Sequence, residues 1–287
     1  MRILVLGSNG MLGNQIFSHF EKIGWDTWGT LRSNKIDADA KKISAGKRFL
    51  GLDVRNYGSV EKIIEDLRPH AVINCAGVIK QHPSVSNAVA TIEVNSMFPH
   101  SLSEICQRQG ARLVHFSTDC VFSGNRGQYT ESDVPDSTDL YGRSKLLGEL
   151  SYGHTFTIRT SIIGRELLGN KSLVDWFIAQ EGRVVQGYAN ARFSGLTTIE
   201  LARVVQKILE TGNKEFGVWH IAGRPIDKLS LLKMVKKYFN LRVDIVENWD
   251  FRCDRTLRAD RFEEQFKYSP PPWDAMVQEL AQIKSIN

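Results

Sequence analysis

The sequence is poor in cysteine, and its few cysteines are spaced too widely for a metal or redox motif. Four cysteines occur in 287 residues, and no two of them form a Cys-x-x-Cys pair. This excludes a disulfide scaffold and offers no zinc-ligand spacing. Histidine is equally scattered, since the closest two, His70 and His82, lie 12 residues apart. The sequence therefore predicts no metal site.

Several other signatures are missing. The chain contains neither Gly-x-Ser-x-Gly nor a P-loop, so a hydrolase elbow and a P-loop nucleotidase are not supported. It has no run of the roughly 18 apolar residues that a membrane-spanning helix requires. The apolar run after Met1 is also too short for a signal peptide. We therefore expect a soluble, cytoplasmic protein with no membrane partner.

Positive charge is in slight excess and is unevenly placed. Lysine and arginine number 37 against 32 acidic residues, a formal net charge of +5. The segment 250–267 holds five residues of each sign, a balanced surface that predicts no nucleic-acid partner. Between Arg32 and Arg48, six basic residues stand against two acidic ones. This local excess favours the binding of a small anion.

Short apolar runs alternate with helical periodicity through the first half of the chain. The runs around Val5 and Ile73 are continuously apolar, as strands covered on both faces should be. This alternation predicts an α/β fold with a Rossmann-type doubly wound parallel sheet. Residues 1–160 would form the dinucleotide-binding domain, and residues 161–287 a smaller C-terminal substrate-binding lobe partly interleaved with it. The predicted strands are 2–6, 26–30, 48–52, 71–75, 112–117 and 155–160.

A glycine triplet follows the first predicted strand and opens the first helix. Gly7, Gly10 and Gly13 have the spacing Gly-x-x-Gly-x-x-Gly. The first two would let the backbone turn tightly beside a pyrophosphate, and Gly13 would let helix and sheet pack closely. The free N–H groups at the helix start would bind the phosphates. The motif predicts a dinucleotide site.

The second predicted strand ends without a carboxylate. An acidic residue at this point would bind the 2′-hydroxyl of NAD, but the chain has Arg32 followed by Ser33. Arg32 offers a planar donor fork suited to a 2′-phosphate, and Ser33 adds a second donor. The sequence therefore predicts NADPH as the cofactor, while leaving NADH open.

A tyrosine and a lysine lie four residues apart in the second half of the predicted sheet domain. Tyr141 and Lys145 would share one face of a helix. Ser117 and Thr118 end the fifth predicted strand, where ligands meet an open α/β sheet. Tyr141 would donate a proton to an alkoxide formed from a ketone, Lys145 would lower its pKa, and Thr118 would bind the carbonyl oxygen.

With these motifs the sequence resembles the extended short-chain dehydrogenase/reductase family, and within it the dTDP-4-dehydrorhamnose reductase branch. The resemblance covers nearly the whole chain and is most specific in the segments 117–122, 129–131 and 141–149. It implies that Thr118, Tyr141 and Lys145 are the catalytic triad and that Asn95 supports the catalytic helix. The expected cofactor-binding residues are Gly7, Asn9, Gly10, Met11, Leu12, Arg32, Ser33, Asp53, Val54, Ala76, Gly77, Ser117, Tyr141 and Lys145.

Two departures from the branch lie where the sugar should bind. Cys120 stands where the branch commonly has tyrosine, and residues 187–195 replace its usual substrate-loop pattern. These departures leave the identity of the sugar open. By charge and position, Lys80, Arg165 and Arg192 are the candidates to meet the diphosphate of the substrate.

The predicted function is NADPH-dependent reduction of the 4-keto group of a nucleotide-activated deoxysugar, in the synthesis of cell-surface polysaccharide precursors. The expected partner is the sugar nucleotide, and a homo-oligomer is left open. One alternative is an epimerase or dehydratase of the same family that retains NAD. Arg32 disfavours this alternative, because a retained NAD favours an acidic residue at that position. The other is a non-catalytic nucleotide-binding protein resembling the regulatory subunit of methionine adenosyltransferase.

Overall fold

Seven parallel strands form the central sheet of the protein, seen here in a computed structural model that describes residues 1–33, 47–80, 87–167, 169, 171–212 and 215–283. Their order across the sheet is β11-β6-β5-β4-β1-β2-β3, and every neighbouring pair is parallel. The predicted fold class, a Rossmann-type α/β sheet, is confirmed. The strands are β1 (Arg2–Leu6), β2 (Asp26–Thr30), β3 (Arg48–Phe49), β4 (Ala71–Asn74), β5 (Arg112–Phe116), β6 (Thr155–Arg159) and β11 (Gly217–His220).

Helices cover both faces of this sheet, which is why strand β1 is apolar from Ile3 to Leu6. Ile3, Leu4, Val5 and Leu6 of β1 are all fully buried, and they alternate between two separate hydrophobic clusters. A parallel sheet buried on both faces requires such a strand. The helices of this part are α1 (Met11–Lys22), α2 (Tyr57–Leu67), α3 (Ala88–Ile92), α4 (Phe98–Arg108), α5 (Leu140–Leu147) and α7 (Thr198–Glu210).

The remaining elements form smaller sheets with their own helices. Strand β8 pairs with β13 in parallel, β7 pairs with β10, and β9 lies between β12 and β14. These strands are β7 (Ile162–Ile163), β8 (Val184–Tyr188), β9 (Ala191–Phe193), β10 (Leu196–Thr197), β12 (Ile226–Asp227), β13 (Asp244–Asn248) and β14 (Cys253–Asp254). The helices are α6 (Leu173–Ile178), α8 (Lys228–Tyr238), α9 (Asp260–Phe266) and α10 (Trp273–Gln282).

The two parts of the chain interleave in space. Strand β11 and helix α7 come after residue 160, yet β11 extends the central sheet beside β6. Helix α7 packs on α1, where the His19 Nε2 and Gln206 Oε1 atoms are 2.7 Å apart. Residue 160 therefore does not separate the smaller lobe from the central sheet in space. As a domain boundary it stays a prediction.

Candidate functional site

The glycine loop joins β1 to α1 at the point where the strand order reverses. Gly7 has a φ of +74°, a left-handed conformation that favours glycine, and a side chain on it would lie 3.1 Å from the backbone nitrogen of Ala76. A Cβ on Gly13 would lie 2.2 Å from the Gly7 carbonyl oxygen. The loop and the end of β4 therefore approach as closely as backbones can, at the crevice where such sheets bind ligands.

The start of α1 fits the phosphates of a dinucleotide. Gly10 is the N-cap and provides no side-chain hydrogen bond to the first turn, so the N–H groups there remain available to a ligand. Asn9 and Gly10 are exposed and Met11 is half-buried. Leu12 differs, because its side chain is buried in the core. These residues therefore suit a nicotinamide dinucleotide, with Leu12 able to contribute through its backbone alone.

The residues predicted to hold the adenosine end of the cofactor lie beyond β2. Arg32 and Ser33 are exposed just after the buried Leu31, and Arg32 is close enough to Asp53 to act on its ionisation. Asp53 forms an ion pair with Arg55 at 2.6 Å, and this hydrogen bond lowers the pKa of the carboxyl group. The basic residues 35, 41 and 42, which belong to the segment between Arg32 and Arg48, lie outside the described residues.

The predicted catalytic residues are brought together beyond the end of β5. Thr118 lies close enough to Tyr141 for its hydroxyl to act on the ionisation of the phenol, and the backbone N–H of Cys120 donates to Thr118 Oγ1 at 3.1 Å. Lys145 is 6% exposed, and its Nζ donates to the Phe116 carbonyl oxygen at 2.5 Å. Asp139 caps α5 by accepting from the Gly142 N–H at 2.8 Å, which fixes the helix that carries both Tyr141 and Lys145.

Burial dominates the ionisation of these groups. It raises the pKa of Tyr141, and the nearby Cys120 thiol acts in the same direction. The prediction that this pKa is lowered is therefore wrong, because desolvation of the phenol disfavours the phenolate. Burial also lowers the pKa of Lys145 to about 8, against the opposing influence of Glu149. At neutral pH the phenol is protonated and can act as a proton donor.

Asn95 contacts the catalytic helix, as expected. Its Nδ2 donates to Ser144 Oγ at 3.2 Å and to the Val78 carbonyl oxygen at 3.0 Å. Its Oδ1 accepts from the Val78 N–H at 2.8 Å. A Cβ on Gly148 would lie 1.9 Å from the Asn95 carbonyl oxygen, so this helix crossing requires glycine. Asn95 thereby joins α5 to the loop after β4, where Ala76 and Gly77 lie.

The three candidates for substrate contact have different surroundings. Lys80 forms a 2.6 Å ion pair with Asp139, the N-cap of α5 and two residues before Tyr141. Arg192, half-exposed, faces Asp254 at 3.8 Å. Arg165 is paired with Asp175 at 2.6 Å and stacks on Phe239. Its charge is therefore already compensated within the smaller lobe, whereas Lys80 stands at the catalytic helix.

Sequence reasoning did not single out Arg255. Its Nε and Nη2 donate to the Phe122 and Ser123 carbonyl oxygens at 2.9 and 3.2 Å. Asp119, Cys120 and Asp139 lie close enough to influence its ionisation. Arg255 therefore reaches from the smaller lobe to the segment that follows Thr118. The mixed charges of the segment 250–267 concealed it, because in sequence they are typical of a solvated surface.

Within the described ranges no helix is both long and apolar enough to cross a membrane. The same part of the chain contains no cluster of three or more histidine, cysteine, aspartate or glutamate residues arranged to hold a metal ion.

Sequence comparison relates the whole chain to one family. The model of the RmlD substrate binding domain matches residues 1–285. A dTDP-4-dehydrorhamnose reductase of Burkholderia thailandensis is 31% identical over 166 residues, which are 56% of this chain and 50% of that protein. The mouse methionine adenosyltransferase 2 subunit beta is 29% identical over 148 residues, 52% of this chain and 41% of its own length. The match thus spans half or less of each curated relative.

Solved structures share the fold over nearly the full chain. A dTDP-4-dehydrorhamnose reductase of Bacillus anthracis in complex with NADP superposes with a TM-score of 0.80, at 22% identity, covering 97% of this chain and 98% of the other. A dTDP-glucose 4,6-dehydratase of the same species in complex with NAD gives a TM-score of 0.78, at 18% identity, covering 98% and 96%. At these identities the likeness establishes the fold alone.

Proposed function

This chain belongs to the RmlD substrate binding domain family, and from that premise we propose that it reduces the 4-keto group of a nucleotide-activated deoxysugar with NADPH. The reaction would serve the synthesis of cell-surface polysaccharide precursors. One observation carries the proposal. Thr118 and Tyr141 lie close together at the same edge of the sheet as the glycine loop, with Lys145 buried on the same helix as Tyr141.

Each of these side chains has a task that its surroundings allow. A reduced nicotinamide, when bound, would supply a hydride to the ketone carbon. The Thr118 hydroxyl would donate to the ketone oxygen, and the protonated Tyr141 phenol would transfer its proton there as charge develops. Lys145 carries an ammonium whose pKa is held near 8 by burial. That charge would favour the phenolate that remains.

The choice of NADPH depends on the end of β2. Arg32 is exposed there and Ser33 follows it, an arrangement suited to a 2′-phosphate. The reductase of Bacillus anthracis is in complex with NADP, and the dehydratase with NAD. An epimerase or dehydratase that retains NAD is disfavoured, because a 2′-hydroxyl calls for an acceptor at the position of Arg32.

The test is a screen of 4-keto sugar nucleotides with purified protein while NADPH absorbance is followed. We expect oxidation of NADPH with at least one dTDP-linked 4-keto-6-deoxysugar, and none with Tyr141→Phe. A sugar nucleotide that is epimerised or dehydrated without net NADPH consumption would contradict the proposal and favour the NAD-retaining alternative.

The similarity to methionine adenosyltransferase 2 subunit beta favours a second candidate, a nucleotide-binding subunit of another enzyme. Calorimetric titration with NADPH separates the two. Stoichiometric binding without turnover of any 4-keto sugar nucleotide would favour the subunit, whereas turnover that depends on Tyr141 would exclude a purely non-catalytic role.

A further inference from the structure

Ser8, the second residue of the glycine loop, is held by two strands of the sheet. Its backbone N–H and its hydroxyl both donate to the Thr30 carbonyl oxygen, at 3.0 and 3.1 Å. From β3, Arg48 Nη1 donates to the Ser8 carbonyl oxygen at 3.0 Å and to Ser8 Oγ at 2.8 Å. A Cβ on Gly29 would lie 2.4 Å from Ser8 Oγ, so the serine occupies space that only a glycine leaves open.

Arg48 is placed where its charge is poorly compensated. The guanidinium stacks on the Phe17 ring, with Cζ 3.8 Å from the ring centroid. Nε and Nη2 are buried without a hydrogen-bond partner in the part of the chain that the structure describes. Burial lowers the pKa of Arg48 to about 10, which Glu21 only partly opposes. Burying a cation whose donors lack partners is energetically unfavourable. An anion bound nearby would offset this unfavourable free energy.

We propose that Arg48 is a positioning residue for the glycine loop and thereby strengthens the binding of the pyrophosphate that NADPH and NADH share. The inference rests on the dinucleotide binding proposed above. By fixing both polar groups of Ser8, Arg48 sets the path of the backbone from Gly7 to the first turn of α1. Its buried charge adds to the attraction for the phosphates that this turn would bind.

The geometry assigns Arg48 a task different from that of Arg32. Nη1 of Arg48 already donates to Ser8, and Nε and Nη2 are shielded from solvent. Arg48 therefore has no accessible donor for a 2′-phosphate, whereas Arg32 is exposed. Arg48 should strengthen the binding of both dinucleotides equally, and Arg32 should decide between them.

The experiment is calorimetric titration of NADPH and of NADH into the wild type, Arg48→Met and Arg48→Lys. Arg48→Met should raise both Kd values about tenfold, the effect of losing one charge-assisted contact. The NADPH-to-NADH ratio should stay within about twofold. Arg48→Lys should fall between, because it restores the charge without the planar fork.

The neighbouring Lys47 provides a matched control. It belongs to the same basic segment, but it is half-exposed, lies over the Trp28 ring and has its charge compensated by Asp26, so Lys47→Met should leave both affinities near the wild-type values. Should Arg48→Met fail to fold, Arg48→Lys and Ser8→Ala decide, since each must weaken both dinucleotides in parallel.

The outcomes separate this inference from the proposed function. Unchanged Kd values in the Arg48 variants, or a loss confined to NADPH, would overturn the positioning role while leaving the reductase proposal intact. A wild type that binds neither dinucleotide would overturn both.

Discussion

Glu149 and Arg159 form a bidentate ion pair in which each side chain is only 6% exposed. Arg159 Nε and Nη2 each donate to a different oxygen of Glu149 at 2.7 Å. Ser117 Oγ, next to Thr118, donates to Glu149 Oε1 at 2.6 Å. Glu149, two residues beyond α5, is thus joined to β6 through Arg159 and to the end of β5 through Ser117, whose hydroxyl is engaged within the protein.

Removal of one member of this pair should be strongly destabilising. Arg159→Met leaves the Glu149 carboxylate buried and uncompensated, which costs about 3–5 kcal/mol in the free energy of unfolding. Urea unfolding of the variant measures the loss. The exposed pair of Lys62 and Asp66 is the control, because Lys62→Met should cost less than about 1 kcal/mol. Equal losses in the two variants would show that the burial of the first pair has no energetic weight.

Lys145 should destabilise the protein at neutral pH although the chemistry needs it. Its pKa is about 8 in the fold against 10.5 ordinarily, so between these values the unfolded state binds more protons and stability rises with pH. Below pH 8 the buried Lys145 is charged in the fold, and its destabilising effect on the folded state is fully present. Lys145→Met should therefore raise the free energy of unfolding at pH 7 by about 2 kcal/mol, allowing about 1 kcal/mol for the lost bond to Phe116.

The pH dependence distinguishes this effect from a general change in packing. The difference between Lys145→Met and the wild type should shrink towards pH 10.5, because there the wild-type lysine is neutral in the fold and the burial cost is gone. Urea unfolding of both proteins at several pH values measures it. Taking the difference from the wild type cancels the titration of the groups that both proteins share. A variant that is less stable than the wild type at pH 7 would contradict the prediction.

Gly13 and Gly58 offer a matched pair of helical glycines. A Cβ on Gly13 meets the Gly7 carbonyl oxygen at 2.2 Å, whereas on Gly58 the nearest atom is the Asn56 side-chain oxygen at 3.7 Å. Gly13→Ala should push the glycine loop away from α1. This should lower the free energy of unfolding by about 1–3 kcal/mol and weaken the binding of NADPH. Gly58→Ala should stabilise by about 0.5–1 kcal/mol. Thermal unfolding and NADPH titration test both, and a neutral Gly13→Ala would show that the loop yields easily.

The elements whose apolar residues or glycines have a regular spacing could be predicted from the sequence. The strand containing Val5 and the glycine triplet combine an apolar run with a turn that only glycine allows, so both were placed correctly. The third strand was predicted to reach residue 52 and ends at Phe49. Strands of two residues, such as β7 and β12, carry no periodicity, and they were missed.

Residues that act through partners distant in sequence were harder to find. Arg48 and Ser8 are 40 residues apart, and Arg255 contacts carbonyl groups more than 130 residues away. Nothing local marks such arginines, because pairing across a fold leaves no spacing in the sequence. Tyr141 and Lys145 were found because one helix turn carries both.

Tyr141→Phe should abolish reduction while retaining cofactor binding. The phenylalanine keeps the ring and removes the proton donor, so kcat should fall by about 10²–10⁴-fold. The Kd for NADPH should stay within about threefold, because one neutral contact of roughly 0.5 kcal/mol is at stake. Tyr152→Phe is the control, since Tyr152 is 51% exposed and contacts His100. A Tyr141→Phe enzyme with most of the wild-type kcat would exclude this tyrosine as the acid.

Arg32→Asp should reverse the preference between the two dinucleotides. The 2′-phosphate of NADPH needs donors, and an aspartate there would remove the guanidinium and place like charge against it. We expect the NADPH affinity to fall about a hundredfold or more, several kcal/mol at 1.4 kcal/mol per decade. NADH should lose little, because an acidic side chain at the end of β2 can accept from its 2′-hydroxyl.

The ratio of the two Kd values is the quantity to measure, since Ser33 and Asp53 stand close by and affect both dinucleotides. The control is Arg183→Asp, which makes the same charge change at an exposed position just before β8 in the smaller lobe. It should leave the ratio unaltered, because Arg183 is not among the residues predicted to contact the dinucleotide and salt screens exposed charges. If Arg32→Asp also left the ratio unaltered, Arg32 would be a solvated surface residue and the preference for NADPH would have to arise elsewhere in the site.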